Sequence, residues 1–312
     1  MAAAAPTATN APALTMQCGG CGAQIHIEAG LRTGKCPYCA SPAVIERPPD
    51  PDRPEPTFAL GFVVGKQRAL ELAKAWIRRP LFAPGAFRRA QPSDVRGMYL
   101  PAYVYTAVAS AEYNAEIGEN YTVTETYTTT DAKGNTVTRT RTRVETEWRD
   151  LAGPWAAYVD DVVVSASKGL PDAELERIEP FDLRALTRFD PTMLSGWIAE
   201  EPSIAADGCL QRARTELEAQ VGARLAKHMP GDRQRGLRFA WRAQHEDLEL
   251  VLLPVWVLAV RYDDELPPVR LVINGQSGKI GGRAPLSWPK IIAVIVAVLG
   301  AIAIAVLVGS MR

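Results

Sequence analysis

The sequence predicts an α+β protein with a mixed, β-rich body, and three observations indicate this class. Alternation at period two is plainest between Tyr121 and Trp148, where it favours extended strands. Helical periodicity appears in "GKQRALELAKAWIRRP" and in "AADGCLQRARTELEAQVGARLAKHM". The chain has 312 residues, of which 47% are apolar and 22% charged. It is therefore long enough to bury one large core or two smaller ones.

The first fifteen residues, "MAAAAPTATNAPALT", predict a disordered segment. Ala, Pro and Thr dominate it, and this composition buries too little apolar surface to fold. A secretory signal is not expected, because no basic start precedes a continuous apolar stretch. In a chain that is not exported, paired cysteines favour metal binding over disulfides.

Residues 16–47 contain the strongest motif, "CGGCGAQIHIEAGLRTGKCPYC". Its two Cys-x-x-Cys pairs, Cys18/Cys21 and Cys36/Cys39, are separated by fourteen residues. This spacing is typical of a zinc ribbon whose two turns are joined by a β-hairpin. Four thiolates complete a tetrahedral shell, so one structural Zn²⁺ is expected and His26 is expected to be a surface residue. The alternative, a thioredoxin-type redox motif, uses a single pair at the start of a helix.

Residues 48–57 are predicted to form a semi-rigid spacer. The stretch "PPDPDRPEP" contains five prolines, which favour an extended polyproline conformation. It would separate the ribbon from a body that covers residues 58–287. Two similar segments of the body, "YLPAYVY" and "LLPVWVL", leave open whether it consists of two related halves.

A long polar β-hairpin is predicted within the body. "YTVTETYTTT" and "TVTRTRTRVETEW" alternate around the turn "DAKGN", with residues 134–135 at the tip. Arg139, Arg141 and Arg143 share one face of the second strand. The favoured interpretation is a solvated face whose arginines pair across the strands with Glu125. Contact with anionic lipid headgroups or with an acidic partner is the alternative.

From Pro171 to Met229 the pattern favours helices. Leu210, Leu217, Val221 and Leu225 share one face, opposite Arg and Glu, which predicts an amphipathic helix that ends near Pro230-Gly231. Cys209, at the start of this helix, is expected to behave as a buried or half-buried apolar side chain.

The C-terminal run "IIAVIVAVLGAIAIAVLVG" predicts a single transmembrane helix over residues 288–309, followed by a tail at 310–312. Its nineteen apolar residues would span about 28 Å as a helix, close to the thickness of the hydrocarbon layer. Lys279, Arg283 and Lys290 precede the run, whereas only Arg312 follows it. The positive-inside tendency therefore predicts a tail anchor in the bacterial inner membrane, with the N-terminal bulk in the cytoplasm.

Charge and motif content argue against two functional classes. Lys+Arg and Asp+Glu both number 35, so the chain lacks the basic excess of a duplex-binding protein. No G-x-x-x-x-G-K-[ST] motif is present, and the three histidines fall in no metal or triad pattern. Neither a helicase or other ATPase nor any other enzyme is expected, and nucleic acid is a disfavoured partner.

The order of parts resembles a family of bacterial membrane-anchored zinc-ribbon proteins. The likeness rests on the four-cysteine ribbon, on "GMYLPAY", "LLPVWVLAVRY" and "INGQSGKIGG", and on the terminal apolar run, and it covers nearly the whole chain. Members are often labelled primosomal protein N′, superfamily II helicase or transcription-factor-IIB-type zinc-ribbon protein. The resemblance implies zinc ligands at Cys18, Cys21, Cys36 and Cys39. It also implies work beside flotillin-like (SPFH-domain) or phage-shock-type proteins.

These patterns together favour a tail-anchored membrane scaffold or adaptor. Its metal-bound ribbon would recruit protein partners, and the bilayer would be its other contact. A membrane-tethered nucleic-acid binder, which would use the ribbon and the arginine strand, is the alternative hypothesis.

Overall fold

A computed structural model describes residues 14–27, 36, 38, 44–47, 54–92, 95–130, 134, 136–194, 196–263 and 265–310. The strands are β1 Leu14–Cys18, β2 Gln24–Ile27, β3 Val44–Arg47, β4 Phe58–Ala59, β5 Arg96–Thr130, β6 Thr136–Ser165, β7 Thr187–Arg188, β8 Ile198–Glu201, β9 Arg233–Val260, β10 Val269–Asn274 and β11 Ile280–Gly282. The α-helices are α1 Lys66–Arg78, α2 Gly85–Arg89, α3 Asp172–Leu175, α4 Ala206–His228 and α5 Trp288–Ser310.

The predicted α+β class is wrong, because the protein is mostly β. Strands account for 45% of it, and helices are few. The difference lies mainly between Pro171 and Ala205, where the sequence pattern favoured helices. That segment instead forms α3, two short 3-10 turns and the strands β7 and β8. In short segments, apolar residues spaced three or four apart do not distinguish a helix from a strand. Pairing with neighbouring strands of the sheet decided the conformation of β7 and β8.

The predicted transmembrane helix is also wrong. A membrane-spanning helix needs about 20 consecutive apolar residues. Within the described part of the chain, no helix combines the length and the hydropathy needed to cross a bilayer. The C-terminal run does form helix α5, but the prediction of a span at 288–309 is not supported. The tail anchor and the inner-membrane location were inferred from that span, and these two predictions are therefore wrong as well.

The chain divides into two compact units. The first contains residues 1–104, 163–209 and 249–312, and the second contains residues 105–162 and 210–248. The long strands β5, β6 and β9 contribute residues to both. The units are not sequential halves, since each draws segments from both sides of the chain's midpoint. The two similar segments noted above lie in β5 and β9, which are neighbours in the sheet. Their common origin remains a prediction.

The sheet of the first unit has the strand order β11-β10-β9-β5-β8-β2-β1-β3. The last part of β9, from Leu250 to Val260, is buried on both faces, as its continuous apolar run suggests. Val255 and Val257 point to one side, where they join a core with Leu100. The alternating residues Trp256 and Leu258 point to the other side. A second core forms there against the buried face of α1, which consists of Ala69, Ala73 and Ile77.

The N-terminal strands belong to this same sheet. β1 pairs with β2 and β3, and β2 pairs antiparallel with β8, aligning Gln24 with Glu201 and His26 with Ala199. The spacer therefore does not hold the ribbon apart from the body, and that interpretation is wrong. β1 begins at Leu14, inside the stretch that was predicted to be disordered. Residues 1–13 and 48–53 lie outside the described residues.

The second unit contains the predicted hairpin. β5 and β6 pair with each other, and both extend well beyond the range 121–148 that the alternation indicated. Gly134, near the tip, has φ +83°, a left-handed conformation that favours glycine; Asn135 is outside the described residues. Helix α4 buries Ala213, Leu217, Val221 and Leu225 on one stripe, as an amphipathic helix should.

Gly97 in β5 provides a test of packing in the first unit. A Cβ atom there would overlap the ring of Trp197 and lie 2.9 Å from Cζ3 of Trp256. We expect Gly97→Ala to lower the free energy of unfolding by about 1–3 kcal/mol, because two packed rings would have to move. Gly61→Ala is the matched control, since no atom lies within 4 Å of its Cβ position. Urea unfolding measures both variants, and equal stabilities would contradict the packing described here.

Candidate metal centre

Three of the four predicted ligands come together at one end of the sheet. The Sγ atoms of Cys18, Cys21 and Cys36 all lie within 4.8 Å of one another. Those of Cys21 and Cys36 are 3.6 Å apart. Cys18 and Cys36 are buried, and Cys21 is half-buried. The fourth predicted ligand, Cys39, and the side chain of His26 lie outside the described residues.

A tight turn between β1 and β2 positions the first two sulfurs. The amide of Gly22 donates to the carbonyl of Cys18 at 2.8 Å, and the amide of Cys18 donates to the carbonyl of Ala23 at 2.8 Å. Gly22 has φ +74°, which a residue with a Cβ adopts only at a cost. The amide of Gly20 points at Cys18 Sγ, 3.4 Å away. Amides aimed at a sulfur in this way stabilise a thiolate.

The sulfur separations fit ligands of one ion. A disulfide requires sulfurs about 2.05 Å apart, so the 3.6 Å between Cys21 and Cys36 excludes a bond between them. Around a tetrahedral ion with bonds of about 2.3 Å, neighbouring sulfurs are roughly 3.8 Å apart. The cluster Cys18, Cys21 and Cys36 could therefore bind a metal ion. Cys209 lies elsewhere, fully buried, with its thiol 3.6 Å from the carbonyl of Ser165; its expected burial is confirmed.

A buried polar cluster adjoins the sulfurs. Tyr38 lies two residues after Cys36 and is fully buried, and its hydroxyl donates to Oε2 of Glu200 in β8. The hydroxyl of Ser167 donates to Oε1 of Glu200 at 2.6 Å. Both carboxylate oxygens thus have a partner, as a buried acid requires. This cluster attaches the segment that carries Cys36 to the middle of the sheet.

The environment changes the acidity of both groups. Burial raises the pKa of Glu200 to about 8, although the hydrogen bonds from Ser167 and Tyr38 act in the opposite direction. Burial also raises the pKa of Tyr38 well above its ordinary value, and the neighbouring Glu200 adds to this shift. Sequence reasoning missed this cluster. Its one signal was a pair of acidic residues that directly follows the apolar stretch "WIA".

Two of the three arginines in the row of the hairpin, Arg141 and Arg143, are paired within the second unit. Arg143 lies 2.9 Å from Oε1 of Glu125 and 2.5 Å from Oε1 of Glu145, and Arg141 lies 3.9 Å from Glu125. These side chains are substantially exposed, so each pair contributes little to stability. The arrangement agrees with a solvated, cross-strand-paired face. It offers fewer uncompensated charges to a polyanion than the sequence alone suggested.

Comparisons with known proteins found similarity to an uncharacterized bacterial protein. No family model matches the chain, and no solved structure matches it. The chain is 25% identical over 240 residues to the uncharacterized protein YdjG of Bacillus subtilis (strain 168). The aligned region is 76% of this chain and 66% of that protein, so the chain spans about two thirds of the relative's length. The relative's name gives no activity, and the resemblance to zinc-ribbon proteins stays a prediction.

Glu200 should make stability depend on pH. Because folding raises its pKa from 4.5 to about 8, folding favours the protonated carboxyl. That contribution is complete below about pH 4.5 and is lost as the pH rises toward 8. The wild-type free energy of unfolding should therefore fall by on the order of 3 kcal/mol between pH 5 and pH 8.5.

Glu200→Gln should flatten this dependence, because the amide keeps hydrogen-bonding capacity without a charge. Urea unfolding of the wild type and the variant at several pH values from 5 to 8.5 measures it. Glu176→Gln is the matched control, because it makes the same substitution at an exposed position. Any effect of pH on metal binding should be the same in the wild type and in both variants, so it does not affect the comparison. Parallel pH profiles for the wild type and Glu200→Gln would contradict the assigned protonation.

Proposed function

We propose that this chain is a non-enzymatic adaptor in which a structural zinc ion fixes the N-terminal strands so that they can recruit a protein partner. One observation carries the proposal. Three of the four described cysteines, Cys18, Cys21 and Cys36, converge to metal-binding distances where β1 and β2 join the sheet. Cys18 and Cys36 also form part of the main core. A metal at this point would determine the shape of the end of the sheet.

The donor set supports zinc as the metal. Thiolates are soft ligands that favour zinc, copper(I) or iron–sulfur clusters, and two Cys-x-x-Cys pairs are typical of structural zinc. Cys39 would be the fourth ligand, by its spacing from Cys36. Four thiolates leave no coordination position for water or substrate, so the ion would stabilise the fold and would not perform chemistry.

The strand order supports a protein partner. Among the described strands, β3 is the last one at its end of the sheet and pairs with β1. A terminal strand has main-chain donors and acceptors along its outer edge, and an extended segment of another protein can pair with them. SPFH-domain and phage-shock-type proteins, which the family resemblance implies, are the first partners to test. Since Arg141 and Arg143 pair with acidic residues, nothing specific favours nucleic acid.

Cys18→Ser should release the metal and destabilise the first unit. If free zinc is present at about 1,000 times its dissociation constant, bound zinc stabilises the fold by about 4 kcal/mol, which the variant would lose. Because the cluster is part of the main core, the loss should extend beyond the N-terminal strands. Elemental analysis should find one zinc per wild-type chain, and thermal unfolding should show the stability change.

Cys209→Ser is the matched control for that measurement. It also replaces a buried cysteine, but one outside the cluster, so it should retain one zinc per chain. If the two variants bound the same amount of zinc, the assignment of the site would be wrong.

Partner binding should require the outer edge of β3. Along an antiparallel strand, successive amides alternate between the two sides. Of the two neighbouring residues Ile45 and Glu46, one therefore has its amide on the outer edge of β3 and the other has its amide facing β1. Both Ile45→Pro and Glu46→Pro are made, and at the residue whose amide is on the outer edge, proline removes that amide and leaves the pairing with β1 intact. That variant should keep its zinc and its stability but lose the partner. The readout is binding of purified SPFH-domain and phage-shock-type proteins to the full chain, with Cys209→Ser as the control that should bind normally. Partner binding that survives both substitutions, or a preference for nucleic acid, would refute the proposal.

A further inference from the structure

A cavity of about 390 Å³ lies beside the cysteine cluster in the first unit. Cys21 and Tyr38 line one side of it. The opposite walls come from the segment that begins with α3, from β10 and from the end of β11. The charged residues that line the cavity are Glu174, Arg177, Arg270 and Arg283. The sequence pattern singled out only Arg283, as one of the basic residues before the C-terminal run, and it did not bring the four together, because they lie far apart along the chain.

Only one of the three arginines is already neutralised. Nη2 of Arg270 lies 2.6 Å from Oε1 of Glu174, and Nη1 donates to the carbonyl of Gly169 at 2.5 Å. Its side chain is 20% exposed, so this pair is held in place. Within the part of the chain that the structure describes, neither Arg177 nor Arg283 has an ion pair or a hydrogen bond from its side chain. The cavity therefore has about two uncompensated positive charges.

Glycine at position 281 allows Arg177 to lie at the wall. A Cβ atom on Gly281 would lie 2.9 Å from Cβ of Arg177 and 3.0 Å from Cγ2 of Ile178. Any larger residue would push the segment that carries Arg177 away from β11. The close approach depends on the absence of a side chain and places Arg177 against the strand that leads to Arg283.

We infer that this cavity binds a phosphate group, either as inorganic phosphate or as a phosphate monoester. Two uncompensated guanidinium groups complement a dianion better than a single carboxylate, and the planar guanidinium matches the oxygens of a phosphate in paired hydrogen bonds. The volume leaves room for a small group attached to the phosphate. This inference is separate from the proposed adaptor function and would stand if that proposal failed.

The same arginines could instead offset the negative charge of a metal–thiolate centre, because Cys21 also lines the cavity. The two roles predict different results. If the arginines stabilise the metal centre, their removal should weaken zinc binding and leave phosphate binding unchanged. If they bind phosphate, removing either one should weaken phosphate binding and leave the affinity for zinc unchanged.

Calorimetric titration of the zinc-loaded full chain with inorganic phosphate and with phosphoserine, at low salt, tests the inference. Acetate is the control anion. We expect saturable binding of phosphate and phosphoserine that is at least tenfold tighter than that of acetate. Tighter binding of phosphoserine would identify a monoester as the ligand, whereas equal or weaker binding would identify free phosphate. Arg177→Gln and Arg283→Gln should each weaken phosphate binding about tenfold.

Arg261→Gln is the matched control, since it removes an exposed arginine that does not line the cavity. Zinc affinity of every variant is measured in parallel by competition with a chromophoric chelator. The inference is overturned if wild-type protein binds phosphate no better than acetate. It is also overturned if Arg177→Gln and Arg283→Gln bind phosphate like Arg261→Gln, or if they lose zinc affinity alone.

Discussion

Much of the first unit depends on the burial of a cysteine cluster in the same core as the central strands. Cys18 and Cys36 are almost fully buried and share that core with Leu100 and Val255. Buried thiolates are costly unless a metal or a hydrogen bond compensates their charge. The binding of a metal ion by this cluster would therefore be coupled to the packing of the sheet. This coupling distinguishes the arrangement from a small ribbon that folds on its own.

Tyr38 connects the cluster to its polar surroundings. Its hydroxyl donates to Glu200 on one side, and the guanidinium of Arg270 lies 5.9 Å from its ring centre on the other. Ser167 and Glu174 complete the two networks. Buried polar groups of this kind make a packing arrangement specific, because each one is costly to leave without its partner. Tyr38, two positions after Cys36, thus fixes where that cysteine lies relative to β8 and β10.

In the second unit, by contrast, charges pair at the surface. Arg235 bonds to Glu116 at 2.5 Å and lies 4.0 Å from the ring centre of Trp148. Arg214 bonds to Glu246, which also accepts a hydrogen bond from Tyr105 at 2.7 Å. Long two-stranded ribbons with few apolar residues gain little from burial. Cross-strand pairs between opposite charges are the interactions that remain available to them.

The sequence by itself determined the local features of this protein. The Cys-x-x-Cys spacing brought three sulfurs together, period-two alternation identified the long strands, and the breaks at Pro80 and Pro230 marked the ends of α1 and α4. These signals depend on neighbours within a few residues. Only the tertiary structure decided that β2 pairs with β8 and that Glu200 and Arg270 meet Tyr38, because these contacts join residues more than 150 positions apart. Apolar composition predicted the C-terminal helix, but no described helix combines the length and the hydropathy needed to cross a bilayer.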